Sequence, residues 1–145
     1  MAISGDFYLV KYLLQGVVMA SIIVMSGKNT GDYYPLGRRT TVIGRDEALL
    51  IQILDDGVSR KHVQIHFDKN TGKYYALDMK SKNGVFINNR KIDNETTLMD
   101  GDQIRIGQTV LFFTQKDFPN REDAMSHFKK VGQRVNITKT IEGPE

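Results

Sequence analysis

Four short motifs follow one another between residues 44 and 88: Gly44-Arg45, Ser59-Arg60-Lys61-His62, Ser81-Lys82-Asn83-Gly84 and Asn88. They supply an arginine, serine hydroxyls and side-chain amides, with no carboxylate pair and no thiol among them. The planar guanidinium of arginine suits phosphate, and serine hydroxyls can donate to phosphate oxygens. An asparagine side chain both donates and accepts, which suits a peptide main chain. The motifs therefore indicate a site that holds a phosphorylated peptide rather than one that breaks bonds.

The sequence around the motifs has the pattern of strands and turns. Residues 62–67 alternate between apolar and polar side chains, and the polar turn at 68–72 leads into a second strand at 74–78. The first strand runs away from Ser59 and the second runs back, so Ser59 and Ser81 should lie at the same end of this hairpin. Further strands are predicted at 21–25, 33–36, 40–43, 49–54, 85–87, 91–92, 103–106 and 109–114. The sequence has no useful helical period before Gln115, which favours an all-β domain.

Taken together, these features resemble the forkhead-associated (FHA) domain, a phosphothreonine-binding β-sandwich of two twisted sheets. The resemblance covers residues 21–115; each motif alone is common, but all of them in this order are specific. It implies a non-catalytic module that recognises phosphothreonine on partners in a Ser/Thr kinase system. No cofactor is implied, and the expected location is the cytoplasm.

The resemblance also assigns a role to each motif residue. The candidate phosphopeptide-binding residues are Arg45, Ser59, Arg60, Ser81, Lys82 and Asn83. By resemblance, Arg45 and the two serines contact the phosphate, and Asn83 binds the peptide main chain beside the phosphothreonine. Arg60 and Lys82 flank these positions as basic residues often do in the family.

Four other motif residues are expected to support the site: Gly44, His62, Gly84 and Asn88. The resemblance implies that His62 braces the loop of Ser59 without touching the ligand. Gly84 marks a position that needs a permissive backbone. Asn88 is expected to support the loop of Asn83, with direct ligand contact as the alternative.

The two ends of the chain differ from the predicted domain. Residues 1–20 are an N-terminal extension of uncertain role. The apolar run 7–25 is interrupted by Lys11 and Gln15, and its last residues are needed as the first strand. Both features argue against a membrane anchor. Residues 116–145 should form a short helix at 121–131 and then a disordered polar tail. That tail contains two candidate phosphorylation sites, Thr138 and Thr140.

Composition narrows the other possible functions. The chain has 145 residues, a net charge of +3 and no cysteine, which excludes disulfides and thiolate sites. Basic residues are spread out rather than clustered, so nucleic acid is an unlikely partner, and the three histidines are too scattered to predict a metal site. Two alternatives remain open: a nucleic-acid-binding β-barrel and a structural module that binds partners through the apolar N-terminal run.

Overall fold

The computed structural model describes residues 20–115, which form two β-sheets packed face to face. The alternation seen in the sequence places every second side chain of each long strand in the interior. The strands are β1 (Ser21–Val24), β2 (Tyr33–Pro35), β3 (Thr41–Gly44), β4 (Ile51–Gln52), β5 (Val63–Asp68), β6 (Lys73–Asp78), β7 (Val85–Ile87), β8 (Arg90–Lys91), β9 (Thr96–Leu98), β10 (Gln103–Ile106) and β11 (Thr109–Thr114). This architecture confirms the predicted all-β sandwich.

One sheet has six strands in the order β2-β1-β11-β10-β7-β8, and the other has five in the order β4-β3-β5-β6-β9. All strand pairs are antiparallel except β3 with β4, which run parallel. The core lies between the sheets, where Ile22, Leu111 and Phe113 of the first sheet and Ile65 and Tyr74 of the second are all buried in one cluster. Antiparallel pairing of β5 with β6 returns the chain to the end of the sandwich from which β5 began.

This antiparallel order gives the sandwich two distinct ends. The loops that follow β3, β4 and β6 meet at one end, which we call the site end because it carries Arg45, Ser59 and Ser81. The opposite end carries the start of β1 and the end of β11, where Ser21 pairs with Thr114. Loops of different strands are therefore brought together by the sheet order and not by closeness in sequence.

Two strands differ from their prediction. β4 covers only Ile51–Gln52 instead of residues 49–54, because Leu50 and Leu54 are exposed and have no place in the core. β9 (Thr96–Leu98) was not predicted, because only Leu98 of its three residues is apolar and buried. The predicted edge position of Pro35 is observed, in β2 at the margin of the six-stranded sheet. Proline is tolerated there because an edge strand need not donate every N–H.

The predicted N-terminal extension, C-terminal helix and tail lie outside the described residues. Within residues 20–115, no helix is both long and apolar enough to cross a membrane.

A two-residue loop, Asn88-Asn89, joins β7 to β8. Ile87 pairs with Arg90, and both asparagines have positive φ, 50° and 70°. Two consecutive positive φ angles are the mark of the type I′ hairpin turn, which matches the twist of the strands and favours asparagine and glycine. β-branched residues are strongly disfavoured in this region of φ.

We predict that Asn89→Val lowers the free energy of unfolding by about 1–2 kcal/mol, the cost of a left-handed backbone with a Cβ branch. Asn89→Gly is the matched control and should be at least as stable as the parent, because glycine adopts positive φ freely. Urea denaturation of the two variants measures the difference. Equal stability of the valine and glycine variants would contradict the turn assignment.

Candidate functional site

The Gly44-Arg45 motif ends β3 against the main chain of the Ser59 loop. The backbone N–H of Arg45 donates to the Ser59 carbonyl at 3.0 Å, and the N–H of Asp46 donates to the Arg60 carbonyl at 3.2 Å. A Cβ atom on Gly44 would collide with the Arg60 carbonyl group. Glycine is therefore required at position 44 because the two loops pass so close to each other.

The side chain of Arg45 is held at one point and otherwise faces solvent. Its Nε donates to the Val58 carbonyl at 2.9 Å, which fixes the guanidinium on the loop that carries Ser59. Two clefts open beside it: one of about 700 Å³ that reaches Leu54 and Gln108, and one of about 490 Å³ that reaches Arg60. The remaining N–H groups of Arg45 can donate to an anion in either cleft.

A buried histidine joins the two serine-bearing loops. The Ser59 N–H donates to His62 Nδ1 at 2.9 Å, and His62 Nε2 lies 2.7 Å from the Gly84 carbonyl oxygen. The peptide N–H can only donate and the carbonyl can only accept, so this network assigns the hydrogen to Nε2 and makes the ring neutral. His62 has no exposed surface, and both of its nitrogens are satisfied inside the protein.

The hydroxyl groups of the two serines are oriented by backbone N–H groups. Ser59 Oγ accepts from the N–H of Lys82 at 2.9 Å, and Ser81 Oγ accepts from the N–H of Gly84 at 2.9 Å. A hydroxyl that accepts in this way keeps its own hydrogen for another acceptor. Both serines can therefore act as donors at the site end.

The side chain of Asn83 reaches back to the loop before Ser59. Its Nδ2 donates to the Gly57 carbonyl at 2.8 Å, which assigns the nitrogen to that side of the amide. The exposed amide keeps its oxygen and a second hydrogen. One acceptor and one donor side by side are the groups that a peptide main chain can pair with.

The flanking cations are exposed and loosely held. Arg60 is 76% exposed, and its guanidinium lies 3.9 Å from the Asp46 carboxylate. The Lys82 side chain is also exposed, although its main chain is fixed by Ser59. These residues contribute positive charge near Arg45 without a fixed geometry.

Asn88 is the one predicted supporting residue that the structure does not bring to the site. It follows β7 at the end opposite Gly84, beside Asp102 and Gln103. Its Nδ2 donates to Asp102 Oδ1 at 2.8 Å, and its Oδ1 accepts from the Gln103 N–H at 3.0 Å. These bonds tie the β7–β8 turn to the start of β10.

The structure adds Asp55, which lies in the loop between β4 and β5. Asp55 Oδ1 accepts from the Gly57 N–H, and Oδ2 accepts from the Gln108 N–H and the Thr109 hydroxyl, all at 2.8–2.9 Å. The carboxylate thereby ties the loop before Ser59 to the β10–β11 turn of the other sheet. Pairing partners 53 and 54 residues away leave no local signal in the sequence.

The hydrogen bonds to Asp55 also act on its ionisation. Burial favours the protonated form, but the bonds from Gly57, Thr109 and Gln108 outweigh it and hold the pKa of Asp55 below its ordinary value.

Among the described residues, no group of three or more histidine, aspartate or glutamate side chains could hold a metal ion.

Comparison with known proteins agrees with this description. The family model of the FHA domain matches residues 41–107. An oxoglutarate dehydrogenase inhibitor of Corynebacterium jeikeium is 36% identical over 94 residues, which are 65% of this chain and 63% of the relative. The chain thus spans less than two thirds of that relative.

Two solved structures share the fold. The FHA domain of FhaA, complexed with the intracellular domain of a second protein, is 30% identical with a TM-score of 0.57, covering 65% of this chain and 98% of that one. A domain solved in a study of phosphothreonine-dependent FHA interactions is 28% identical with a TM-score of 0.60, covering 69% and 99%.

The described residues form a sandwich with polar loops gathered at one end, and binding residues commonly lie on such loops of a rigid scaffold. With the motifs in place and the matches above, the chain belongs to the FHA-domain family.

We predict that Asp55→Asn lowers stability at pH 7 by about 1 kcal/mol, because the new amide turns a donor toward groups that also donate, at a partly exposed position. A lowered pKa in the folded state stabilises the protein above the unfolded pKa and loses this effect as pH falls through the folded value. The difference between parent and variant should therefore shrink below about pH 4. Thermal unfolding from pH 7 to pH 2 measures it; a constant difference would contradict the role of the carboxylate.

Proposed function

We propose that this domain binds phosphothreonine peptides at the site end, without catalysis. The observation that carries the proposal is that three potential donors on adjoining loops are each held by a hydrogen bond. The Arg45 guanidinium is pinned by Val58, and the Ser59 and Ser81 hydroxyls are each pinned by a backbone N–H. A phosphate near pH 7 carries close to two negative charges and accepts on three oxygens, so three fixed donors match it.

Peptide recognition would come from Asn83. The bond to Gly57 holds the amide and leaves one acceptor and one donor on an exposed side chain. A peptide main chain next to the phosphothreonine can use both, as the family resemblance implies. The site would then distinguish a phosphorylated peptide from free phosphate.

The two clefts beside Arg45 offer room for residues that flank the phosphothreonine. The larger is lined by Leu54, which is 47% exposed, together with Lys28 and Gln108. Asp55 and Asp56 line the same cleft, so it combines one apolar side chain with charges of both signs. These clefts are open, which suits an extended peptide better than an enclosed small molecule.

The comparisons favour a regulatory role for this binding. One relative is named as an enzyme inhibitor, and one structural neighbour is an FHA domain in complex with another protein. We infer that the chain acts by binding a partner that a Ser/Thr kinase has phosphorylated.

Nucleic-acid binding is disfavoured by the placement of the aromatic residues. Single-stranded nucleic acid needs exposed aromatic platforms in a basic groove. Tyr74 and Phe113 pack against each other in the core, with ring centroids 5.6 Å apart, and Phe67 lies on Tyr74. These rings stabilise the sandwich instead of offering a stacking surface.

We predict that Arg45→Ala lowers affinity for a phosphothreonine peptide by about 2–5 kcal/mol, the range for truncating one partner of a hydrogen-bonded charge pair. Isothermal titration calorimetry with a phosphothreonine peptide library hit measures the loss. Arg90→Ala is the matched control, because this substitution removes the same charge at a distance from the site. Arg90 is exposed in β8, directly after the Asn88-Asn89 turn.

Asn83→Ala separates peptide recognition from anion binding in the same titration. Removing the amide should weaken phosphopeptide binding by about 1–3 kcal/mol although no charge is lost. Affinity for free phosphate should stay unchanged. If Arg45→Ala binds the phosphopeptide as tightly as the parent, the assignment of the site is wrong. If Asn83→Ala binds normally while Arg45→Ala does not, the domain recognises phosphate alone.

We further propose that the C-terminal tail can occupy the same site. Thr138 and Thr140 lie in a stretch with Arg134 and Lys139, and Ile141 follows Thr138 by three residues, a position that this family often reads. A tethered ligand reaches an effective concentration of about millimolar, so even a weak contact would compete with partners. Phosphorylation of Thr138 would supply the anion.

We predict that phosphorylation at Thr138 lowers the apparent affinity for a free phosphopeptide and shifts the NMR signals of Arg45, Ser59 and Asn83. The control is the Thr138→Ala variant treated with the same kinase, which should bind like unmodified protein. Dilution distinguishes a tail that occupies the site of its own molecule from a tail that links two molecules, because only the link between two molecules weakens as the protein concentration falls. Unmoved loop signals and equal peptide affinity would show that the tail does not regulate the site.

A further inference from the structure

The outer face of the six-stranded sheet carries buried apolar side chains that the core does not account for. Ile23 pairs with Phe112 across β1 and β11, while their neighbours Ile22 and Phe113 pack in the core. Because side chains alternate along a strand, Ile23 and Phe112 point away from the second sheet. Nevertheless both side chains are buried: Ile23 has no exposed surface, and Phe112 is 2% exposed.

The same face continues this pattern beyond the central pair. Ser21 and Thr114 pair at one end, Met25 extends the alternation at the other, and all three are buried as well. We call Ser21, Ile23, Met25, Phe112 and Thr114 the outer patch. A sheet face that points away from the core is buried only if another part of the protein covers it.

We propose that residues 121–131 form an amphipathic helix that covers the outer patch. In this segment Ala124, Phe128 and Val131 fall within one narrow arc of a helix, and Met125 lies at the margin of that arc. The opposite arc contains Ser126 and charged residues. Such a helix has one apolar face for the sheet and one polar face for water.

The connection from β11 fits this arrangement. β11 ends at Thr114, which is itself part of the outer patch, and residues 116–120 can span up to about 17 Å, enough to reverse direction. An eleven-residue helix is about 16 Å long. The outer patch extends from Ser21 to Met25, five residues or about 17 Å, so the helix matches its length.

The N-terminal run is less suited to this position. Residues 7–19 include four side chains with polar atoms, Tyr8, Lys11, Tyr12 and Gln15, of which only Lys11 is charged. The outward arc of segment 121–131 contains Glu122, Asp123, Lys129 and Lys130 beside Ser126, so this segment has the more polar face for water.

The docked helix would also direct the tail. It would start at the end of the sandwich that carries Thr114 and run toward the site end, so the chain would leave Val131 near the binding loops. Thr138 is seven residues further on, a reach of up to about 23 Å. This consequence rests on the proposed tail regulation, whereas the docking itself does not.

The test is a pair of substitutions in the full chain with methyl and aromatic labelling. In the parent we expect nuclear Overhauser contacts from the Met125 methyl to Ile23 and the Phe112 ring. Phe128→Asp should abolish these contacts and shift the Ile23 methyl signal. Ser126→Asp introduces the same charge on the polar arc and should leave both unchanged.

Several outcomes would overturn the proposal. One is an unmoved Ile23 signal in Phe128→Asp; a second is an equal shift in Ser126→Asp. A shift caused by Leu14→Asp but not by Phe128→Asp would assign the cover to the N-terminal run. A dependence of the Ile23 signal on protein concentration alone would assign it to a second copy. Phosphopeptide affinity of the unphosphorylated variants is read separately, so failure of the docking is distinguishable from failure of the proposed function.

Discussion

The candidate site depends on the buried imidazole of His62, which connects two loops that the sequence keeps far apart. It accepts from the Ser59 N–H and lies in hydrogen-bond contact with the Gly84 carbonyl, 22 residues away. A buried polar group left without its partner costs about 1–3 kcal/mol, so loss of the ring would leave two such groups. The positions of Ser59 and Ser81 relative to each other therefore depend on a side chain that has no exposed surface of its own.

Close approach of main chains provides the second constraint. Gly44 allows the Arg45 loop to lie directly on the Ser59 loop, and the carboxylate of Asp55 ties that loop to the β10–β11 turn. The donors of the site are thus held by backbone contacts from both sheets. Such preorganisation reduces the ordering that ligand binding would otherwise require.

The sequence predicted most of the strands because β5, β6 and β11 are long enough to show alternation. It missed β9, in which only Leu98 is apolar, and it overestimated β4, whose length is set by its pairing with β3. It also grouped Asn88 with the site. The structure puts Asn88 at the other end of β7, because a three-residue strand separates it from Gly84.

By itself, the sequence determined the chemistry of the site and the class of fold, since residue types and their period of two are local properties. The strand order, the hydrogen bond from His62 to Gly84 and the bonds of the Asp55 carboxylate to the β10–β11 turn were decided only by the tertiary structure. The bond from His62 to Gly84 joins residues 22 positions apart, and the bonds of Asp55 to Gln108 and Thr109 join residues 53 and 54 positions apart. Contacts at such separations depend on how the sheets pair and pack, which no local pattern of side chains specifies.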